Sequence, residues 1–179
     1  MNRIDLIAPD QITDGRAETL AEIKNAFGLV PNMFKAVANS PAALTSMWAQ
    51  FGALADGVLG AKLGEQVAVA VADRNRCDYC LSAHTLLGKK AGATAEEMAE
   101  AQSGRSADPR TSAVLTLATA LVDKRGQIAD SDVQAARDAG LSQEEIVETV
   151  AHVALNVFTN YINVALGVPV DFERVPLTR

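Results

Sequence analysis

Cysteine is scarce in this chain of 179 residues: Cys77 and Cys80 are the only two, which excludes a scaffold stapled by several disulfides. Positive charge is also short, with 16 Lys and Arg against 22 Asp and Glu. A net charge of −6 and a pI near 4.9 repel polyphosphate, so no nucleic-acid partner is expected. The opening residues, MNRIDLIAPDQ, hold no apolar run of signal-peptide length behind their single Arg, which predicts a cytoplasmic chain. The longest stretch without Asp, Glu, Lys or Arg lies between Glu148 and Asp171. It carries His152, Asn156, Thr159, Asn160 and Asn163, which hydrocarbon would penalise, so it reads as a buried helix and no membrane partner is expected. No long Pro/Ser-rich linker is present. The length suits one domain with a real core, taken as residues 1–179, with a helical arm over 1–39 and a core over 40–179.

What is there is hydrophobic residues at 49% and charged residues at 21%, an ordinary globular balance. Strand signals are missing and helix-start signals recur. Ser40 before Pro41, Thr94 with Glu97, Ser131 with Gln134, and Ser142 with Glu145 fit N-caps, three of them at capping-box spacing. Ala, Leu, Glu and Gln at helical period predict an all-α, multihelical protein with helices near 15–26, 31–38, 41–57, 62–74, 77–91, 94–102, 110–125, 130–138 and 142–166. Gly28, Gly60, Gly92, Gly104, Gly126 and Gly140 punctuate them. A faint echo links Glu65-Gln66-Val67-Ala68 with Glu145-Ile146-Val147-Glu148. The segment 146–166 is apolar on nearly all sides and must be covered on every face, by a larger core or another subunit, which points to an oligomer.

The chemistry-bearing stretch runs from Glu65 to His84. With a helix starting near Cys77, the Cα atoms of Cys77 and Cys80 fall about 5 Å apart, within disulfide range. His84 lies about 6 Å in Cα distance from Cys80 on the same face, and about 10 Å from Cys77. If the helices fold back as an antiparallel hairpin around Asn75, Glu65 and His84 meet at the same height across the seam. A carboxylate, an imidazole and a thiol then converge for proton relay to a reactive sulfur. A thiol of pKa about 8.5 is roughly 3% thiolate at pH 7, and lowering its pKa gains only a few-fold because nucleophilicity falls too. Protonating an oxygen leaving group as sulfur attacks a peroxide is worth roughly 10²–10⁴, so the relay answers that demand better.

Glu65, eleven residues, Cys77, two residues, Cys80, three residues and His84 together form a pattern that resembles the alkylhydroperoxidase AhpD-like proteins of the carboxymuconolactone decarboxylase superfamily. The resemblance extends from about Pro41 to Glu173 and includes the stretch Asn156 to Tyr161. It implies an all-helical fold assembling as a homo-oligomer, trimer or hexamer, and a thiol-dependent peroxidase or disulfide reductase. It also implies that Cys80 attacks a hydroperoxide, Cys77 resolves the sulfenic acid as a disulfide, and a dithiol such as a lipoyl group restores both thiols. The dipole of the helix, with Arg74 and Arg76 nearby, acts most strongly on Cys77, which would then meet the reductant. Well-known members carry a further His between the cysteines, where this chain has Asp78-Tyr79.

Other readings remain open. His152, Asn156, Thr159, Asn160 and Asn163 form a stripe that suits a polar seam between subunits or a second wall of the pocket, and Tyr79, His152, Asn156 and Asn160 are the candidate pocket residues. Met47, Trp48 and Phe51 read as core. Cys77, Cys80, His84 and Glu65 could be drawn as a zinc set, but ligands two helical turns apart on a rigid helix fit one ion poorly. No metal and no cofactor are expected. A redox sensor or binding module using the same disulfide as a switch is the non-enzymatic alternative.

Overall fold

The computed structural model describes residues 2–178. Helices form where the caps and the apolar period place them: α1 (Arg16–Phe27), α2 (Asn32–Val37), α3 (Pro41–Ala55), α4 (Gly60–Arg74), α5 (Asp78–Lys90), α6 (Ala95–Gln102), α7 (Pro109–Asp123), α8 (Asp130–Asp138) and α9 (Gln143–Leu166). A single 3₁₀ turn, Pro9–Gln11, lies where the pattern predicted nothing. The described residues contain no strand.

Three of the expected caps are in place. The Ser40 side chain accepts from the Ala43 N–H, and Thr94 with Glu97 and Ser142 with Glu145 close reciprocal capping boxes. Ser131 does not cap. The Ala129 N–H is taken at 2.8 Å by the Asp132 carboxylate, so α8 starts at Asp130 as the pattern placed it, but is capped by an acid at its third residue rather than by the Ser131 hydroxyl. Asp108, which the pattern passed over, caps α7 by accepting from the Thr111 N–H.

Two successive three-helix units share one construction. Ala91-Gly92-Ala93-Thr94-Ala95-Glu96-Glu97 joins α5 to α6, and Ala139-Gly140-Leu141-Ser142-Gln143-Glu144-Glu145 joins α8 to α9. Gly92 and Gly140 adopt φ of +90° and +89°, a left-handed turn that glycine makes without strain. The N–H groups that follow reach back identically, Ala93 to the Gly88 carbonyl and Leu141 to the Ala136 carbonyl. The three-helix units α4–α5–α6 and α7–α8–α9 thus each contain one such connection, and the faint echo falls on Glu65 of α4 and Glu145 of α9.

The core is centred on α4, which packs on α5, α6, α7 and α9. Val67, Val69, Ala70, Val71 and Ala72 are fully buried on it, which is why its apolar residues run almost without a break rather than as a stripe. Leu20, Ile23, Phe34 and Val37 of the N-terminal helices join the same cluster. Arg76, at φ +56°, makes the sharp turn that folds α5 back along α4. After α9 the chain returns as a strap over the start of α5: Arg174 pairs with Asp78 at 2.8 Å, the Val175 N–H donates to Ser82 Oγ at 3.0 Å, and Thr178 is held by the buried Asp73 carboxylate. Among the described residues no helix is long and apolar enough to cross a membrane.

One side of α9 is uncovered. Its polar face packs inward against α4 and α5, while Val147, Val150, Tyr161 and Val164 stand exposed on the other side.

Candidate functional site

Cys77 ends the turn after α4 and serves as N-cap of α5, its sulfur accepting the Cys80 N–H at 3.2 Å. The Cα atoms of Cys77 and Cys80 lie 5.3 Å apart and the two sulfurs are joined as a disulfide. Both residues are buried, Cys77 completely. Cys77 thus stands at the N-terminus of α5, where the helix dipole points. The Arg74 guanidinium, expected beside it, turns instead to Asp123, at 3.4 Å, and Arg76 is exposed.

The hairpin brings Glu65 of α4 to His84 of α5, with Glu65 Oε2 2.7 Å from His84 Nδ1. With the carboxylate ionised it can only accept, so Nδ1 carries a proton and Nε2 becomes the nitrogen that can take or give one at a reacting group. His84 stands one helical turn beyond Cys80 on α5. The seam opens into a cavity of about 130 Å³ lined by Phe51, Leu54, Gly64, Glu65, His84, His152 and Asn156. His84 and Phe51 also line a smaller apolar cleft of about 30 Å³ with Phe27, Met33, Tyr79, Asn163 and Phe172.

The stripe on α9 faces inward. His152 and Asn156 enter the larger cavity, and His152 lies against Gly64, where an added Cβ would stand 3.0 Å from the ring. Burial lowers the His152 pKa and outweighs the pull of Glu148 and Glu65, with His84 adding to the lowering, so the imidazole is neutral at neutral pH. Its Nε2 is buried without a partner. Asn156 donates to the His152 carbonyl at 2.9 Å. Asn160 lines neither cavity; its Oδ1 accepts from Asn75 at 2.9 Å and ties α9 to the hairpin turn. The stripe is thus buried within the chain itself.

Tyr79 presents its ring to the apolar cleft, edge-on to Phe172, but its hydroxyl accepts the Met33 N–H at 3.1 Å beside Asp171. Burial raises its pKa far above the phenol range. It anchors α2 and has no free proton for the sulfur. Met47 is core as expected, whereas Phe51 is a wall of both cavities and Trp48 donates to Glu22 at 2.7 Å. Asn163 was read only as part of the stripe, yet its Nδ2 donates to the Cys80 sulfur at 3.2 Å.

The sequence profile of the carboxymuconolactone decarboxylase family matches residues 41–107 and again 100–171. The chain belongs to the carboxymuconolactone decarboxylase family. The two matched stretches hold the two three-helix units in turn, with both cysteines in the first. An alkyl hydroperoxide reductase of Mycobacterium tuberculosis is 34% identical over 95 residues, 52% of this chain and 28% of the relative. The chain thus spans little more than a quarter of that protein's length. Among solved structures, an alkylhydroperoxidase AhpD core, an uncharacterized peroxidase-related protein from Ralstonia eutropha JMP134, superposes with a TM-score of 0.85 at 22% identity, covering 95% of this chain and 92% of that one. A peroxidase-related protein from Silicibacter sp. TM1040 gives a TM-score of 0.82 at 21% identity, covering 97% and 92%. The fold of this family member is that of the AhpD core.

Proposed function

We propose that this chain is a thiol-dependent peroxidase and disulfide oxidoreductase that reduces hydroperoxides at Cys80. The Cys80 thiolate attacks the terminal oxygen of the hydroperoxide; an S–O bond forms, the O–O bond breaks, and its electron pair leaves on the alkoxide. His84, oriented by Glu65, gives that alkoxide its proton. Cys77 then attacks the Cys80 sulfenic acid, the S–S bond forms, and the S–O bond breaks with loss of water. A dithiol of the lipoyl type reduces the disulfide and returns both thiols. The observation that carries this reading is the Glu65–His84 hydrogen bond, on one cavity wall and one helical turn from a closed Cys77–Cys80 pair.

Both cysteines are buried, which suits a site that meets a small peroxide and opens for its reductant. The uncovered face of α9 supports assembly with further copies of the chain, as a trimer or hexamer, in the cytoplasm. The relay ends at His84, because the Tyr79 hydroxyl accepts from the Met33 N–H and turns its proton to Asp171.

Steady reduction of tert-butyl hydroperoxide with dihydrolipoamide tests the proposal. The native chain turns over, Cys80→Ser consumes none, and Cys77→Ser is oxidised once and stops. Equal turnover by the native chain and Cys80→Ser would overturn it.

A further inference from the structure

Asn163 has no place in the relay described above, and its side chain is arranged as though it had a task at the sulfur. It is buried near the end of α9, and its own carbonyl receives the N–H groups of Gly167 and Val168, which fixes the backbone whatever the side chain. Nδ2 donates to Cys80 Sγ at 3.2 Å. Oδ1 is buried with no hydrogen-bond partner. The side chain lines, with His84, the cleft of about 30 Å³, large enough for a water-sized group. Its neighbours on the stripe bond elsewhere: Asn160 Oδ1 accepts from Asn75 while its Nδ2 is buried without a partner, and Asn156 bonds to its own helix.

A disulfide sulfur is a weak acceptor, so the bond from Nδ2 gains little in the oxidised state. A thiolate in the same place turns it into a charge-assisted bond, roughly twice as strong. The interaction therefore favours the reduced, ionised Cys80 over the form seen here. Cys77 has the terminus of α5 for the same purpose; Cys80, inside the first turn, has this amide. The orphaned Oδ1 needs a donor, and the water-sized cleft that Asn163 and His84 line admits a peroxide or sulfenic hydroxyl.

Resting on the peroxidase reading, we propose that Asn163 is a catalytic residue of Cys80. Nδ2 stabilises the thiolate before attack. Oδ1 accepts the hydrogen bond of the hydroxyl that the sulfur gains when the S–O bond forms and the alkoxide departs with the O–O electron pair. The same contact holds the sulfenic acid until Cys77 displaces its oxygen as water.

The test uses a Cys77→Ser background, where one sulfur reports and serine keeps the cap of α5. Thiolate ultraviolet absorbance is followed against pH, and sulfenic acid formed with tert-butyl hydroperoxide is trapped with dimedone. Asn163→Ala and Asn163→Leu move the thiolate midpoint to higher pH, with about tenfold less thiolate at neutral pH, and slow trapping by a similar factor. Asn163→Leu fills a similar volume and adds no charge, so its shift separates the lost donor from a packing defect. Unchanged midpoints and trapping rates in both variants, with the parent forming sulfenic acid, overturn the role of Asn163 alone. A parent that forms no sulfenic acid overturns the peroxidase reading, and the sulfenic-acid role falls with it.

Discussion

A carboxylate bonded to one nitrogen of an imidazole decides what the other nitrogen can do. Glu65→Gln can meet His84 Nδ1 with either its amide oxygen or its amide nitrogen, so it no longer fixes which ring nitrogen carries the proton. The rate at which hydroperoxide oxidises the reduced protein should fall about 10²-fold, and His84→Asn should lower it at least as far; stopped-flow thiol loss measures both. Glu65, Cys77, Cys80 and His84 were legible because helical spacing and one hairpin fix them relative to each other. Asn163 and the hydroxyl of Tyr79 were not. Their partners lie 83 and 46 residues away, and such distances are set by tertiary packing alone.

At the scale of the helices, the sequence pattern placed all nine within a few residues, because each carries its own start and stop chemistry. It failed where two polar residues competed for one role. Ser131 matched the capping spacing, but Asp132 reaches the free N–H of Ala129 and also pairs with Lys124. Thermal or denaturant unfolding distinguishes these caps: Thr94→Ala should cost about 1 kcal/mol, whereas Ser131→Ala, exposed and unbonded, should lie within about 0.5 kcal/mol of the parent. The α9 stripe failed for a related reason. An apolar helix dotted with Asn reads equally well facing a partner or its own core, and only the packing of α4 and α5 against it decides.

For the whole molecule, the C-terminal strap is the feature least visible in the sequence and is tied to the core through Asp73. Burial works against this carboxylate, but hydrogen bonds from Thr178 and Gln102 and the charge of Arg74 prevail, holding its pKa below the ordinary value. Its stabilising effect is therefore complete above the unfolded aspartate pKa of about 4 and is lost as pH falls through the lower folded value. Asp73→Asn removes an acceptor from three donors and should destabilise the protein by about 2–4 kcal/mol near neutral pH. Unfolding midpoints against pH check the sign: the native chain loses stability on acidification in that window, and the variant loses less. The chemistry at the two cysteines is tested most directly by counting thiols before and after one equivalent of hydroperoxide is added to reduced protein. The account predicts that two free thiols become one Cys77–Cys80 disulfide within a single chain as the hydroperoxide becomes an alcohol; two thiols still free after the addition would contradict it.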